Sequence, residues 1–289
     1  MRSFAFMDDL FQLQQFIITA LAEDLGDGDH STLCCIKNDV KGKAILKIKE
    51  AGILAGVEVA IKIFAQIDPS AEIKILIPDG TKVYPGEVAF EVLAPIHSIL
   101  KCERLVLNCM QRMSGIATLT NKYVEKISEY KCQLLDTRKT TPNFRLLEKE
   151  AVRIGGGMNH RFGLYDMIML KDNHIDYCGS IEKAIESAYQ YTLTNNKKLK
   201  IEVETRNIDD VKKVMLIGKI NRIMLDNFTP EQIAEALIII DGKYETEASG
   251  GINFDNIEKY ASTGVNFISC GSIIHHASSL DLSLKAVVI

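Results

Sequence analysis

From Gln133 onward the chain alternates short apolar strands with helical stretches, and this alternation constrains the fold more than any other feature. Strand patterns stand at "QLLDT", "DMIMLKD", "LKIEVET", "RIMLDN", "YETEASG" and "NFISCGS", with helical periodicity in most of the gaps. Antiparallel strands can be joined by a tight turn, whereas strands separated by helices point to parallel βαβ units. Six such units suit a (β/α) barrel better than a short doubly wound sheet. In a parallel barrel the C-terminal ends of all strands open on one face, where the active sites of such barrels lie. Here those ends carry Arg138 and Lys139, then Lys171, Glu204, Asp226, Ser249 with Gly250 and Gly251, and Gly271.

The first hundred residues read differently. A helix pattern from Leu10 to Leu25, alternating stretches at "AILKIK" and "AEIKILI", and a turn at Pro78-Asp79-Gly80 predict a small α+β domain. A long helical pattern starts at His97 and is interrupted at Ser114-Gly115. The expected boundary lies there, with residues 1–112 in the first domain and a barrel over 113–274.

Composition bounds the ligands. The formal net charge is -4, which argues against sequence-wide attraction to nucleic acid or an anionic membrane, so any anionic ligand must be held by a local cluster. No apolar run approaches the roughly 20 residues of a membrane span. The N-terminal residues lack a charged-then-apolar signal pattern, and a cytoplasmic protein is expected. Seven cysteines without a C-x-x-C pair read as reduced, packed thiols.

A local cationic cluster is present. Between Arg138 and Lys171 there are seven Lys or Arg against three acids. Arg145, Lys149 and Arg153 fall at helical spacing with Glu148 and Glu150, and are expected on a solvated helix face. Arg138, Lys139, His160, Arg161 and Lys171 remain, at strand ends or in a glycine-rich loop. Arginine forks hold carboxylates in paired hydrogen bonds, and lysine supplies a mobile charge suited to phosphate. Such a mouth implies a ligand with several negative charges; the structural alternative is salt bridges to Glu204 and Asp226. These two carboxylates suit Mg²⁺ shared with phosphate oxygens, or sugar hydroxyls. Glu202 lies on the same side of its strand as Glu204 and competes with it. Ser249-Gly250-Gly251 and Gly271 read as backbone phosphate grips in the last two strand-to-helix loops. His160 stands between Asn159 and Arg161, and His275-His276 read as surface residues.

With these residues assembled, the chain resembles the quinolinate phosphoribosyltransferase family. The resemblance rests on "EDLGDGDHST", "ERLVLNCMQRMSGIAT", "DTRKTTP", "LEKEAVRIGGGMNHRFGLYDMIMLKDNH", "EVE", "LDNF", "ASGGIN" and "DLSL", in that order and over nearly the whole length. It implies an α/β fold, an N-terminal α+β open sandwich plus an incomplete TIM-like α/β barrel, with the C-terminal segment 275–289 returning to the first domain. It implies a reaction of quinolinate with 5-phosphoribosyl-1-diphosphate (PRPP) to nicotinate mononucleotide, pyrophosphate and CO₂, with Mg²⁺ as cofactor. Members are homo-oligomers, dimers or hexamers, that share the site across an interface. By the same resemblance Arg104 from a neighbouring subunit, with Thr137, Arg138, His160 and Arg161, holds the pyridine dicarboxylate. Lys139 and Lys171 serve the substrate carboxylate and diphosphate, Glu204 and Asp226 serve the ribose and Mg²⁺, and Ser249, Gly250, Gly251 and Gly271 serve the 5-phosphate. Asn143 in "TTPNFR" and the stretch "SCGSIIHH" depart from the family pattern. Three other readings are a paralogous phosphoribosyltransferase with another acceptor, a Schiff-base lyase using Lys139 or Lys171, and a non-catalytic anion-binding protein.

Overall fold

The computed structural model describes residues 7–38 and 40–287. They form two compact units, one from the described residues up to 121 with 140–156 and 274–287, and the other from residues 122–139 and 157–273.

The first unit opens with helices α1 (Met7–Leu25) and α2 (His30–Cys35), then runs through β1 (Lys41–Ile48), β2 (Gly52–Ile53), α3 (Val57–Ile67), β3 (Glu72–Ile75), β4 (Lys82–Val83), β5 (Val88–Pro95) and α4 (Ile96–Lys126). β1 alternates buried and part-exposed residues over "AILKI", so one face of its sheet packs inward and the other faces out. It pairs antiparallel with β5 and with the C-terminal strand of residues 282–287, and β3 pairs with β5 on the far side. α3 turns Val57, Val59, Ala60, Ile63 and Phe64 inward, and Phe64 meets Phe90 of β5 edge to face. Gly56 has no side chain to cap α3, and Asp79 does so from the predicted turn, accepting the Val57 N–H at 2.8 Å.

α4 departs from the sequence expectation, because it passes through Ser114-Gly115 without a break. Ser114 turns its hydroxyl to both the N–H and the carbonyl of Ala55. Gly115 lies against the backbone of Ser278, where a Cβ would overlap the carbonyl. The pair marks a close approach of three backbones, and the expected boundary at residue 112 falls inside this helix.

Helix α5 (Arg145–Ile154) also belongs to the first unit. Its Glu148 is fully buried and accepts Arg112 Nε at 3.0 Å, Arg112 Nη2 at 2.8 Å and the Thr141 N–H at 2.8 Å. Arg112 in turn donates to the carbonyls of Ile274 and Ala277. Lys149, expected on a solvated face, is only 2% exposed; Arg153 keeps a same-helix pair with Glu150.

In the second unit every expected strand is present: β6 (Gln133–Leu135), β7 (Ile168–Leu170), β8 (Ile201–Thr205), β9 (Arg222–Asp226), β10 (Glu245–Ser249) and β11 (Phe267–Ser269). Between and after them come α6 (Asp172–Cys178), α7 (Ile181–Thr194), α8 (Ile208–Ile217), α9 (Pro230–Ile240), α10 (Ile257–Ala261) and α11 (Ser272–His275), and β12 (Leu282–Val287) is the strand that pairs with β1. Side chains of Ser180, Asn207 and Thr229 accept backbone N–H groups at the starts of α7, α8 and α9. All pairings are parallel, in the order β6-β11-β10-β9-β8-β7. Chain neighbours are sheet neighbours from β7 to β11, and β6 closes onto β11. Only the β6–β7 junction is unpaired, so the barrel is incomplete, as expected.

Candidate active site

The residues that follow each strand meet at the open end of this barrel, and the first of them organises the rest. Asp136, directly after β6, is fully buried. Its carboxylate accepts the His160 backbone N–H at 2.8 Å and the Asn159 side-chain amide at 2.7 Å. Met158 bridges Leu135 as a rudimentary parallel strand. The segment from Met158 to Arg161 is therefore fastened to β6, which brings Arg161 near Arg138.

Burial, together with the Arg138 charge, depresses the Arg161 guanidinium below its usual value. The Arg161 guanidinium donates to the Met167 carbonyl, at 3.3 Å. Arg138 buries its Nε without an acceptor, and neither arginine has an ion-pair partner among the described residues. Two guanidiniums held close repel each other, and the charges of Glu202 and Asp166 offset only part of this at Arg161. A ligand with two carboxylates would remove that repulsion through paired, charge-assisted hydrogen bonds.

Across the mouth, Lys171 follows β7 and places Nζ 3.2 Å from Glu204 at the end of β8. Lys171 is half exposed while Glu204 is buried. The structural salt-bridge alternative thus describes this pair and no other of the predicted cations. The backbone of Lys171 is set by His174, whose Nδ1 accepts the Lys171 N–H at 3.0 Å. Asp226 ends β9 opposite Ser249 of β10 and accepts only the Asn227 amide, at 2.6 Å. Lys139 is exposed, its N–H turned back to the Thr137 hydroxyl at 3.1 Å.

Gly250 adopts φ 89°, and a Cβ there would run into Asn227, so this turn after β10 requires glycine. Ser249 and Gly251 flank it, and Gly271 occupies the corresponding place after β11. The helices that follow, α10 and α11, have five and four residues. Any anion grip here therefore depends on loop N–H groups more than on a helix dipole. Arg104 lies exposed on α4 in the first unit.

Beneath the mouth lies a charged layer of which the sequence reading weighed only His160 and Glu202. Glu202 of β8 and Glu247 of β10 are both fully buried, and His160 Nε2 lies 3.1 Å from an oxygen of each. Arg222 of β9 donates to Glu247 at 3.0 Å and reaches Glu245 with its other nitrogens. The Arg161 N–H points at His160 Nδ1 from 2.6 Å, which leaves the ring neutral. Burial disfavours charge on the ring, yet the two glutamates outweigh it and raise the His160 pKa to about 9. Burial raises Glu202 to about 7, with help from the Glu247 charge. Together the coupled groups retain a proton at neutral pH that isolated ones would have lost, and the Nδ1 contact favours Glu202 as its carrier. His160 and the two glutamates are spaced closely enough to ligate a metal. Arg222 already neutralises Glu247, and this layer is an ion-pair network. The sequence signal was the alternation in "IEVET", "RIM" and "ETE", which turns Glu202, Arg222 and Glu247 toward the barrel interior.

Fold and site together define an incomplete α/β barrel whose strand ends are laid out for a small ligand with several negative charges. Comparison narrows that class. Residues 29–114 match the quinolinate phosphoribosyl transferase N-terminal domain and residues 116–285 match its C-terminal domain. The chain belongs to the quinolinate phosphoribosyltransferase family. It is 43% identical over 290 residues to quinolinate phosphoribosyltransferase [decarboxylating] 1b of Nicotiana tabacum, covering 95% of this chain and 82% of that one. It is 41% identical over 290 residues to the chloroplastic nicotinate-nucleotide pyrophosphorylase [carboxylating] of Arabidopsis thaliana, covering 95% and 83%. The nicotinate-nucleotide pyrophosphorylase structure from Francisella tularensis superposes with a TM-score of 0.89 at 40% identity, covering 96% of each chain.

Proposed function

We propose that this protein transfers the phosphoribosyl group of PRPP to quinolinate, yielding nicotinate mononucleotide, pyrophosphate and CO₂ for NAD biosynthesis. The observation that carries the reading is the Arg138–Arg161 pair, held together with a buried Arg138 Nε that has no acceptor.

In this reading Arg138 and Arg161 hold the two carboxylates and fix the pyridine nitrogen in line with ribose C1. The bond from C1 to the diphosphate oxygen breaks as the bond from C1 to the ring nitrogen forms. Lys139 and Lys171 stabilise the charge on the departing diphosphate. Glu204 and Asp226 accept hydrogen bonds from the ribose hydroxyls, and the loops at Ser249-Gly250-Gly251 and Gly271 hold the 5-phosphate. The quaternised ring then accepts the electron pair left as the adjacent carboxylate departs as CO₂, and that ring carbon takes up a proton.

The donor set fits Mg²⁺. Glu204 and Asp226 project from adjacent strand ends on the same face, and Mg²⁺ is ordinarily held by one or two carboxylates plus phosphate oxygens and waters. When bound, the ion neutralises diphosphate charge. The exposed position of Arg104 supports a role in the site of a second copy in a homo-oligomer, a dimer or hexamer. Seven free cysteines suit a reducing compartment such as the cytoplasm. Among the described residues no helix is long and apolar enough to cross a membrane.

The test is a product assay with purified protein, PRPP and Mg²⁺, offered quinolinate in one tube and nicotinate in another. Nicotinate mononucleotide with CO₂ from quinolinate alone is expected. Turnover of nicotinate, or no product from either, would overturn the reading.

A further inference from the structure

The ladder between β10 and β11 stops short of the mouth. Its last paired residues are Ala248 and Ile268, whereas β9 and β10 stay in register as far as Asp226 and Ser249. The turns after β10 and β11, read above as the 5-phosphate grip, therefore begin where the sheet no longer pairs them. Between Ser249 and Ile252 stand Gly250 and Gly251, both at positive φ, 89° and 64°, and two consecutive glycines offer little resistance of their own to bending. A cradle of loop N–H groups serves an anion well only when its donors are held at a set spacing.

Side chains take over where the ladder ends. The Cys270 thiol lies 3.2 Å from the Ile252 carbonyl and 2.9 Å from the Ser272 hydroxyl, and that hydroxyl lies 3.1 Å from the Tyr123 phenol. Cys270 and Tyr123 are 2% and 4% exposed, and all four residues belong to the second unit. The thiol and the two hydroxyls have one proton each to give, and the carbonyl can only accept. The chain then runs one way, from Tyr123 to Ser272, from Ser272 to Cys270, and from Cys270 to Ile252. Burial raises the Tyr123 phenol above its usual value, so the head of the chain keeps the proton it donates. We propose that Tyr123, Ser272 and Cys270 are positioning residues that clasp the turn after β10 to the turn after β11 and so set the spacing of the phosphate grip.

The end of α4 holds the same turn at a second point. Lys126, one helical turn beyond Tyr123 on the same face, donates to the Phe254 carbonyl at 2.6 Å and stands 4.2 Å from the Phe254 ring centre. The Tyr123 ring meets that phenyl edge to face, with centres 5.3 Å apart. The segment that follows the two glycines is thus fixed at Ile252 through Cys270 and at Phe254 directly. The clasp also gives a role to "SCGSIIHH", the stretch that departs from the family pattern, because Cys270 and Ser272 flank Gly271 within it. A buried thiol commonly packs as a small apolar group, and that is the alternative to be tested.

The clasp rests on the reading of these turns as the 5-phosphate site, and the measurements separate the two. In calorimetry, wild type, Tyr123→Phe, Cys270→Val and Cys270→Ser are each titrated with ribose 5-phosphate and, separately, with quinolinate. Tyr123→Phe and Cys270→Val should each weaken ribose 5-phosphate by roughly fivefold, the loss expected of one hydrogen bond, and should leave quinolinate within about twofold. Cys270→Ser keeps a donor and an acceptor and should recover most of the affinity, which a purely apolar filler would not predict. The double variant Tyr123→Phe with Cys270→Val should be no worse than the worse single one, and the KM for PRPP should follow the same order with the quinolinate KM unchanged. Wild-type affinity for ribose 5-phosphate in Tyr123→Phe, or Cys270→Val binding as well as Cys270→Ser, would overturn the clasp and leave the phosphate reading intact. No binding of ribose 5-phosphate to wild type would overturn both.

Should a variant fail to fold, a crystal structure of the wild-type protein with ribose 5-phosphate decides. The phosphate is expected on the N–H groups of the two turns, with Cys270 still on Ile252 and Ser272. A phosphate bound there with the Ser272 hydroxyl turned away from Cys270 would overturn the clasp alone, and a phosphate bound elsewhere would overturn the reading of the turns as well.

Discussion

Replacing Arg138 by methionine should stabilise the ligand-free protein while removing its affinity for quinolinate. The Arg138 Nε is buried without an acceptor, and an unsatisfied buried donor costs about 1–3 kcal/mol. The same guanidinium depresses that of Arg161, so its removal also relieves a like-charge contact. Methionine keeps an unbranched apolar stem of similar reach. At about 2–4 °C per kcal/mol for a chain of this size class, the apo Tm should rise by roughly 2–12 °C in a differential scanning measurement. Quinolinate would lose two charge-assisted hydrogen bonds of about 1.5–3 kcal/mol each, weakening binding by roughly two to four orders of magnitude. Wild type should therefore gain stability on adding quinolinate, by about 2.7 kcal/mol at a hundredfold excess over Kd and seen as a higher Tm, and the variant should gain almost none. A lower apo Tm in Arg138→Met would refute the reasoning, since it would mean that Arg138 is already held by the protein's own groups.

Three further outcomes follow from the buried charges and the close helix contact. Because the coupled His160, Glu202 and Glu247 keep a proton at neutral pH that isolated groups would have lost, folding takes up a proton. That stability is present below the unfolded values and is lost as pH rises toward the raised ones; a Tm that holds steady or climbs between pH 6.5 and 9 would contradict it. Glu148→Ala strands Arg112 and the Thr141 N–H, and should cost about 3–5 kcal/mol in a urea titration, with Glu148→Gln milder. Gly115→Ala gains helix propensity of about 1 kcal/mol, yet drives a Cβ into the Ser278 carbonyl. A net loss of stability is expected, and a higher Tm would show that the approach is not tight.

The strands were legible because each is a short apolar run bounded by polar turn residues, and a parallel barrel buries both faces of its sheet. The mouth was legible for the same reason, since polar residues that end such runs must converge. What escaped the sequence reading has one physical origin. Ser114-Gly115 reads as a break because propensity is local, whereas its cause is the remote backbones at Ala55 and Ser278. Lys149 reads as solvated because its helix periodicity cannot reveal that the surrounding chain buries it. Glu247 and Arg222 read as ordinary strand residues, since alternation gives their side of the sheet but not their neighbours. Asp136 was visible as the first polar residue after "LL", and only the fold shows that it anchors the His160 turn from 24 residues away.

The barrel therefore carries charge at two depths with opposite logic. In the lower layer His160, Glu202, Arg222 and Glu247 lie against one another as ion pairs, so most of the charge there is balanced within the protein. At the mouth Arg138, Arg161 and Lys139 lack such partners among the described residues, and the layer is complete only when an anion enters. Exchanging the two arrangements would fail on physical grounds. Unpaired charge deep in the barrel would cost several kcal/mol per ion, and paired charge at the mouth would have to be broken before a ligand could bind. Depth along a strand thus separates the residues that hold shape from those that hold substrate, and a Glu two positions below a Glu is the local sign of it.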